Sequence, residues 1–105
     1  MSGDIHFIER MGHMKCIDRD LATWESSWWA VAPETAEKLV GGRIFFHKEQ
    51  DKPPFFGGQI TSYRVETEGE WLGRIIFTFV FSIVFRGIPA DREGWSNEKK
   101  IVLPP

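Results

Sequence analysis

Cysteine is nearly absent: Cys16 is the single one in 105 residues. No internal disulfide can form, so a reducing compartment is the expected setting. No apolar run approaches membrane length either. The longest, Ile75 to Phe85, holds 11 residues and is broken by Thr78 and Ser82, whereas a spanning helix needs about 20. The first nine residues include Asp4, His6 and Glu9, which argues against a secretory signal. A cytoplasmic protein with no membrane partner is the expectation. An excess of basic charge is missing as well: the net charge is -2 and the pI about 5.9. A nucleic-acid site would therefore be a local patch on an otherwise acidic surface.

Metal and catalytic signatures are equally sparse. His13 and Cys16 stand three apart, with His6 and His47 elsewhere. A zinc site wants three or four ligands in close pairs, so no metal and no cofactor is expected. Cys16 has no context that marks an activated thiol, and Ser26-Ser27 lacks a nucleophile-elbow setting. Gly41-Gly42 and Gly57-Gly58 match neither phosphate-loop pattern and read as a helix end and a strand start. Asp18 and Asp20 flank Arg19 and could serve acid–base chemistry with His47. That defines an alternative reading as a small metal- or carboxylate-dependent hydrolase or nuclease. No catalytic residue is assigned from the sequence, and a binding module is favoured over an enzyme.

What the chain does have is hydrophobic and aromatic mass. Hydrophobic residues make up 42%, with five Trp, nine Phe and one Tyr, enough for one core and one domain over residues 1–105. Strands are expected at Asp4 to Glu9, Trp28 to Ala32, Arg43 to Lys48, Gln59 to Glu66, Gly73 to Phe85 and Lys99 to Leu103. Leu21 to Ser27 reads as a loop, and Met14 to Asp20 is ambiguous. In Gly73 to Phe85 the odd positions Ile75, Phe77, Phe79 and Phe81 are bulky and the even ones mixed, the period of two that a half-buried strand shows. So long a strand should bend or bulge. Pro33 to Val40 is the one helix. Proline suits its first position, Glu34 and Glu37 its N-terminal half, Lys38 its far end, and Gly41-Gly42 its stop. One short helix cannot cover two faces of an open sheet, so a mainly β, α+β fold in the form of a small mixed β-barrel is expected.

The order Trp28-Trp29-Ala30-Val31, helix Glu34 to Leu39, strand Gly42-Arg43-Ile44-Phe45-Phe46-His47, then Phe56-Gly57-Gly58-Gln59-Ile60 resembles the PUA-like superfamily, in particular its EVE and ASCH branches. The similarity covers about 40 residues. It implies a pseudo-barrel whose cleft binds RNA or a modified base. The residues before Trp28 match no branch.

Among the aromatics Trp24, Trp28, Trp29, Phe55, Phe56, Trp71 and Trp95, most fall at strand ends or loops. There they either plug the barrel or stack a flat ligand. Alternation points Trp28 and Trp29 to opposite faces. The expected site pairs Trp28 or Trp29 with Phe55 or Phe56 as stacking surfaces. Arg43, Lys48, Lys52 and Arg64 form a basic fringe for phosphates, although the same four could simply balance nearby acids. The expected partner is nucleic acid or a nucleobase-like small molecule. A protein-interaction or toxin–inhibitor-type module is a further alternative, which would show a flat exposed aromatic patch.

Overall fold

The computed structural model describes residues 3–9, 14–49, 54–82 and 99–102. The strands are β1 (Asp4–Ile8), β2 (Lys15–Asp18), β3 (Thr23–Glu25), β4 (Arg43–His47), β5 (Phe56–Val65), β6 (Ile75–Phe81) and β7 (Lys99–Val102), with helix α1 (Pro33–Leu39) before β4. They form one sheet in the order β2-β3-β6-β5-β4-β1-β7. Only the β1–β4 pair is parallel. All other neighbours run antiparallel.

The period of two in β6 sets the core. Ile75, Phe77 and Phe79 are fully buried and join Ile5 and Phe7 of β1, Ile44 and Phe46 of β4, and Ile60 of β5 in one cluster. Ala36 and Leu39 of α1 belong to the same cluster, so the helix covers this face with its apolar stripe. Phe7 and Phe77 lie on strands separated by β4 and β5, a spacing of about 14 Å across a flat sheet. Their ring centroids are nevertheless 6.1 Å apart, so the sheet curls strongly around its core. It stays open among the described residues: β2 and β7 are its two ends, and no ladder joins them. The mainly β composition with one short helix agrees with the sequence reading, whereas the expected barrel is not closed by these strands.

The parallel pair is buried on both faces. Ile8, Phe45 and His47 on the opposite side are as inaccessible as Ile5, Phe7, Ile44 and Phe46. Parallel strands are ordinarily covered on both sides, which explains why β1 and β4 show little alternation in sequence.

Three features differ from expectation for a nonlocal reason. The Leu21 to Ser27 stretch holds β3, whose residues Thr23, Trp24 and Glu25 pair with Val80, Phe79 and Thr78 of β6. The expected strand at Trp28 to Ala32 does not form. Instead the chain continues irregularly along β6, with Ser26 N–H donating to Phe77 O and Trp29 exchanging both backbone bonds with Ile75 at 2.9 Å. The expected bulge lies in the partner strand: Thr61 of β5 is the extra residue between the Ile60–Phe79 and Ser62–Thr78 pairs. The far part of the expected long strand, from Ile83 on, lies outside the described residues.

Pro33 occupies the first turn of α1, and Gly41 follows the helix with φ of 89°, a conformation glycine adopts without a Cβ clash. Gly42 is needed for a different reason. A Cβ there would meet Gly3 O at 1.9 Å, because the backbones of β1 and β4 start side by side at this point.

Candidate functional site

The four aromatic residues expected to line one cleft are distributed over three places. Trp29 turns inward and stacks face to face on Phe7, with centroids 3.8 Å apart and planes 13° from parallel. Its Nε1 is buried with no hydrogen-bond partner among the described residues. Phe56, at the start of β5, packs among Trp24, Phe46, Phe79 and Phe81. Phe55, one residue earlier, carries the Lys48 ammonium 4.5 Å above its ring, a cation–π contact. Trp28 lies at the other end of β5, where its Nε1 donates to Glu66 Oε2 at 3.0 Å. Ten residues of strand separate Phe55 from Glu66, so Trp28 and Phe55 do not face one ligand.

The basic residues are dispersed in the same way. Arg43 donates two bonds to Asp4, at 2.8 and 2.7 Å, across the first register position of the parallel pair. Arg64 makes a similar forked pair with Glu25, at 3.0 and 3.3 Å. Both guanidiniums are thus engaged by carboxylates that no local pattern announced. Lys48 follows β4 at the Phe55 end. Lys52 lies outside the described residues, as do His13 and Trp95. A continuous basic fringe is not assembled by Arg43, Lys48 and Arg64.

The acid–base alternative does not assemble either. Asp18 ends β2, exposed, and its Oδ1 accepts the Leu21 N–H at 3.1 Å in the following turn. Asp20 is exposed in that turn. His47 is buried on β4, on the far side of β3, β6 and β5, with its Nε2 2.9 Å from Nδ1 of His6. One ring nitrogen must donate and the other accept at that distance. No group of three metal-binding side chains lies together among the described residues. The hydrolase arrangement of Asp18, Asp20 and His47 is therefore not formed. Cys16 is exposed on the edge strand β2.

The structure assembles a different aromatic site, around the turn between β5 and β6. Trp28 and Trp71 stack with centroids 5.5 Å apart and planes 9° from parallel. The Arg74 guanidinium lies 5.6 Å from the Trp71 ring centroid. The turn is braced by backbone bonds: Glu66 N–H to Arg74 O and Gly73 N–H to Glu66 O, both 2.9 Å, and Leu72 N–H to Gly69 O at 3.2 Å. Gly69 and Gly73 take positive φ of 81° and 86°, which lets the turn fold back tightly. On the other side, the Ser26 and Trp29 bonds to β6 hold the chain that presents Trp28. Both indoles are half-buried and so retain exposed surface. Next to them Leu72 is 66% exposed and Val65 38%.

Trp28 also sets the electrostatics. Its N–H holds the Glu66 carboxyl below the usual glutamate range, opposed by desolvation and helped by the backbone N–H of Thr67. The ion is favoured because it accepts bonds that the neutral acid would accept more weakly. Glu68 and Glu70 extend the acidic character through the turn, and both are exposed.

Trp71 was within reach of sequence reasoning as an aromatic residue in a turn. Glu66 was not, because its role depends on Trp28, brought alongside from 38 residues upstream; Arg74, three residues after Trp71, lies within local reach of it. No described helix is long and apolar enough to cross a membrane. No family model, curated protein or solved structure matches the chain.

Proposed function

We propose that this chain is a binding module that recognises a nucleobase, free or within RNA or DNA, by stacking it on the indole pair Trp28–Trp71. The observation that carries the reading is the pair itself. Two large parallel π systems, each half-buried, are held on hydrogen-bonded backbone, and a base stacks on an aromatic side chain with about 1–3 kcal/mol. Indoles also lose little conformational freedom on binding. With this reading goes a PUA-like pseudo-barrel built from the curled sheet, and a cytoplasmic setting. Lys48, whose ammonium lies over Phe55, would serve a strand that extends along the domain, with Lys52 assigned to the same role from the sequence alone. Arg43 and Arg64 would have to exchange a carboxylate for a phosphate, which makes them poor candidates for affinity.

The test is fluorescence anisotropy of labelled single-stranded RNA and DNA, unmodified and carrying modified bases, at low salt. Trp28→Ala and Trp71→Ala should each weaken binding about 5- to 150-fold, the equivalent of one lost stacking contact. Failure of every oligonucleotide and nucleoside to bind would refute the reading, as would affinity unchanged in both variants. A protein-interaction module is the second reading, favoured by the exposure of Leu72 and Val65 beside the indoles. Binding of a protein partner that Leu72→Ala abolishes, with no base binding, would support it.

A further inference from the structure

We infer that the Trp28–Trp71 site selects a positively charged base, such as a purine alkylated on a ring nitrogen, over its neutral counterpart. The inference rests on the nucleobase reading above and adds the charge of the ligand.

The argument starts from what surrounds the indoles. Glu66, Glu68 and Glu70 occur within five residues and run directly into Trp71. Glu66 is bonded to the Trp28 indole. Glu68 and Glu70 are exposed, and neither has an ion-pair partner among the described residues. The nearest basic groups are already committed. Arg64 is forked onto Glu25, and Arg74 lies against Trp71. With the Arg64–Glu25 pair, whose guanidinium also attracts Glu66, four carboxylates stand against two guanidiniums around the turn. A polyphosphate backbone is repelled by that field at short range, within the Debye length of about 8–10 Å. A cation is attracted by it.

The indoles add to the same preference. The face of an aromatic ring carries negative quadrupolar potential, and Trp gives the strongest cation–π attraction of the aromatic residues. The molecule already uses this: a guanidinium, itself a flat delocalised cation, is in place over Trp71. An alkylated purine has the same planar, delocalised charge, spread over a larger ring. It can therefore gain stacking and cation–π attraction together, beside the Glu66 carboxylate that the Trp28 indole holds. A neutral base gains only the stacking.

Five nucleosides decide the matter: adenosine, N6-methyladenosine, 1-methyladenosine, guanosine and 7-methylguanosine. N6-methyladenosine and 1-methyladenosine are isomers as neutral molecules, but at neutral pH only the second is protonated to a cation. Calorimetric titration of the full chain should give about ten-fold tighter binding of 1-methyladenosine than of either adenosine or N6-methyladenosine. 7-Methylguanosine, charged on its other ring, should show the same preference over guanosine. The double variant Glu68→Gln/Glu70→Gln, at two exposed positions, should bring the ratio towards one while neutral nucleosides still bind. Equal affinity for the two methyladenosines, or a ratio untouched in the double variant, would overturn the inference and leave the nucleobase reading standing. No binding of any of the nucleosides or of the oligonucleotides above would overturn both.

Discussion

Replacing Phe79 by alanine tests the assignment of the core face more directly than any other single change. Phe79 is fully buried in β6 and lies between Trp24 of β3 and Ile60 of β5 in register. Its ring is 5.4 Å from that of Phe46 and 5.9 Å from that of Phe56, so it joins three strands of the sheet to the core. The surrounding rings are themselves fixed on strands and cannot collapse into the space left behind. The loss should therefore lie in the upper part of the range for such truncations, about 3–5 kcal/mol. A domain of this size has roughly 5–15 kcal/mol of stability in total. With a urea m-value near 1.5 kcal/mol/M, the midpoint should fall by about 2–3 M. Equilibrium urea denaturation followed by far-UV circular dichroism, with Thr78→Ala on the opposite face as control, measures it. Thr78 is only half-buried, and its truncation should cost under about 1 kcal/mol. Equal effects of the two substitutions, or a loss below about 1 kcal/mol for Phe79→Ala, would refute the face assignment and the curled-sheet core built on it.

Four further outcomes are expected. Ala22→Gly should raise stability by about 1 kcal/mol in the same assay, because Ala22 holds a positive φ of 49° that only glycine adopts without penalty. Gly58→Ala should lower it by more than about 2 kcal/mol, since a Cβ there would meet Val80 O at 2.0 Å and neither strand can move without breaking the β5–β6 ladder. Glu66 has a folded-state pKa held below its unfolded value, so its contribution to stability is present above the ordinary glutamate range and is lost as pH falls through the folded value. Trp28→Phe, which removes the donor, should therefore flatten the acid limb of Tm against pH, and an unchanged limb would show that the bond is not formed in solution. Cys16, exposed on β2, should react with a thiol reagent in the native state at a rate near that of the unfolded chain, and marked protection would mean that the β2 edge is covered.

The physics of short-range pattern accounts for what could be read without coordinates. Helix α1 was legible because proline, paired glutamates, an apolar stripe and two glycines all fall within ten residues. Strands β4, β5 and β6 were legible because hydrophobic runs bounded by glycine and charge are local signals, and the buried set Ile75, Phe77 and Phe79 follows from period two alone. Tertiary structure alone decided the rest. Strand β3 exists because Thr23–Glu25 find β6, not because of any propensity of their own. Alternation already sent Trp28 and Trp29 to opposite faces, but only the Trp29–Ile75 backbone pairing decides that one indole lands on Phe7 and the other on Trp71. The pairs that disarm the basic fringe, Arg43 with Asp4 and Arg64 with Glu25, each join residues 39 apart. The candidate site has the same character: Trp28 and Glu66 are 38 residues apart. A sequence states which side chains can stack, donate or carry charge, but contacts across such separations depend on how strands register and how far the sheet curls, and those are properties of the packed whole.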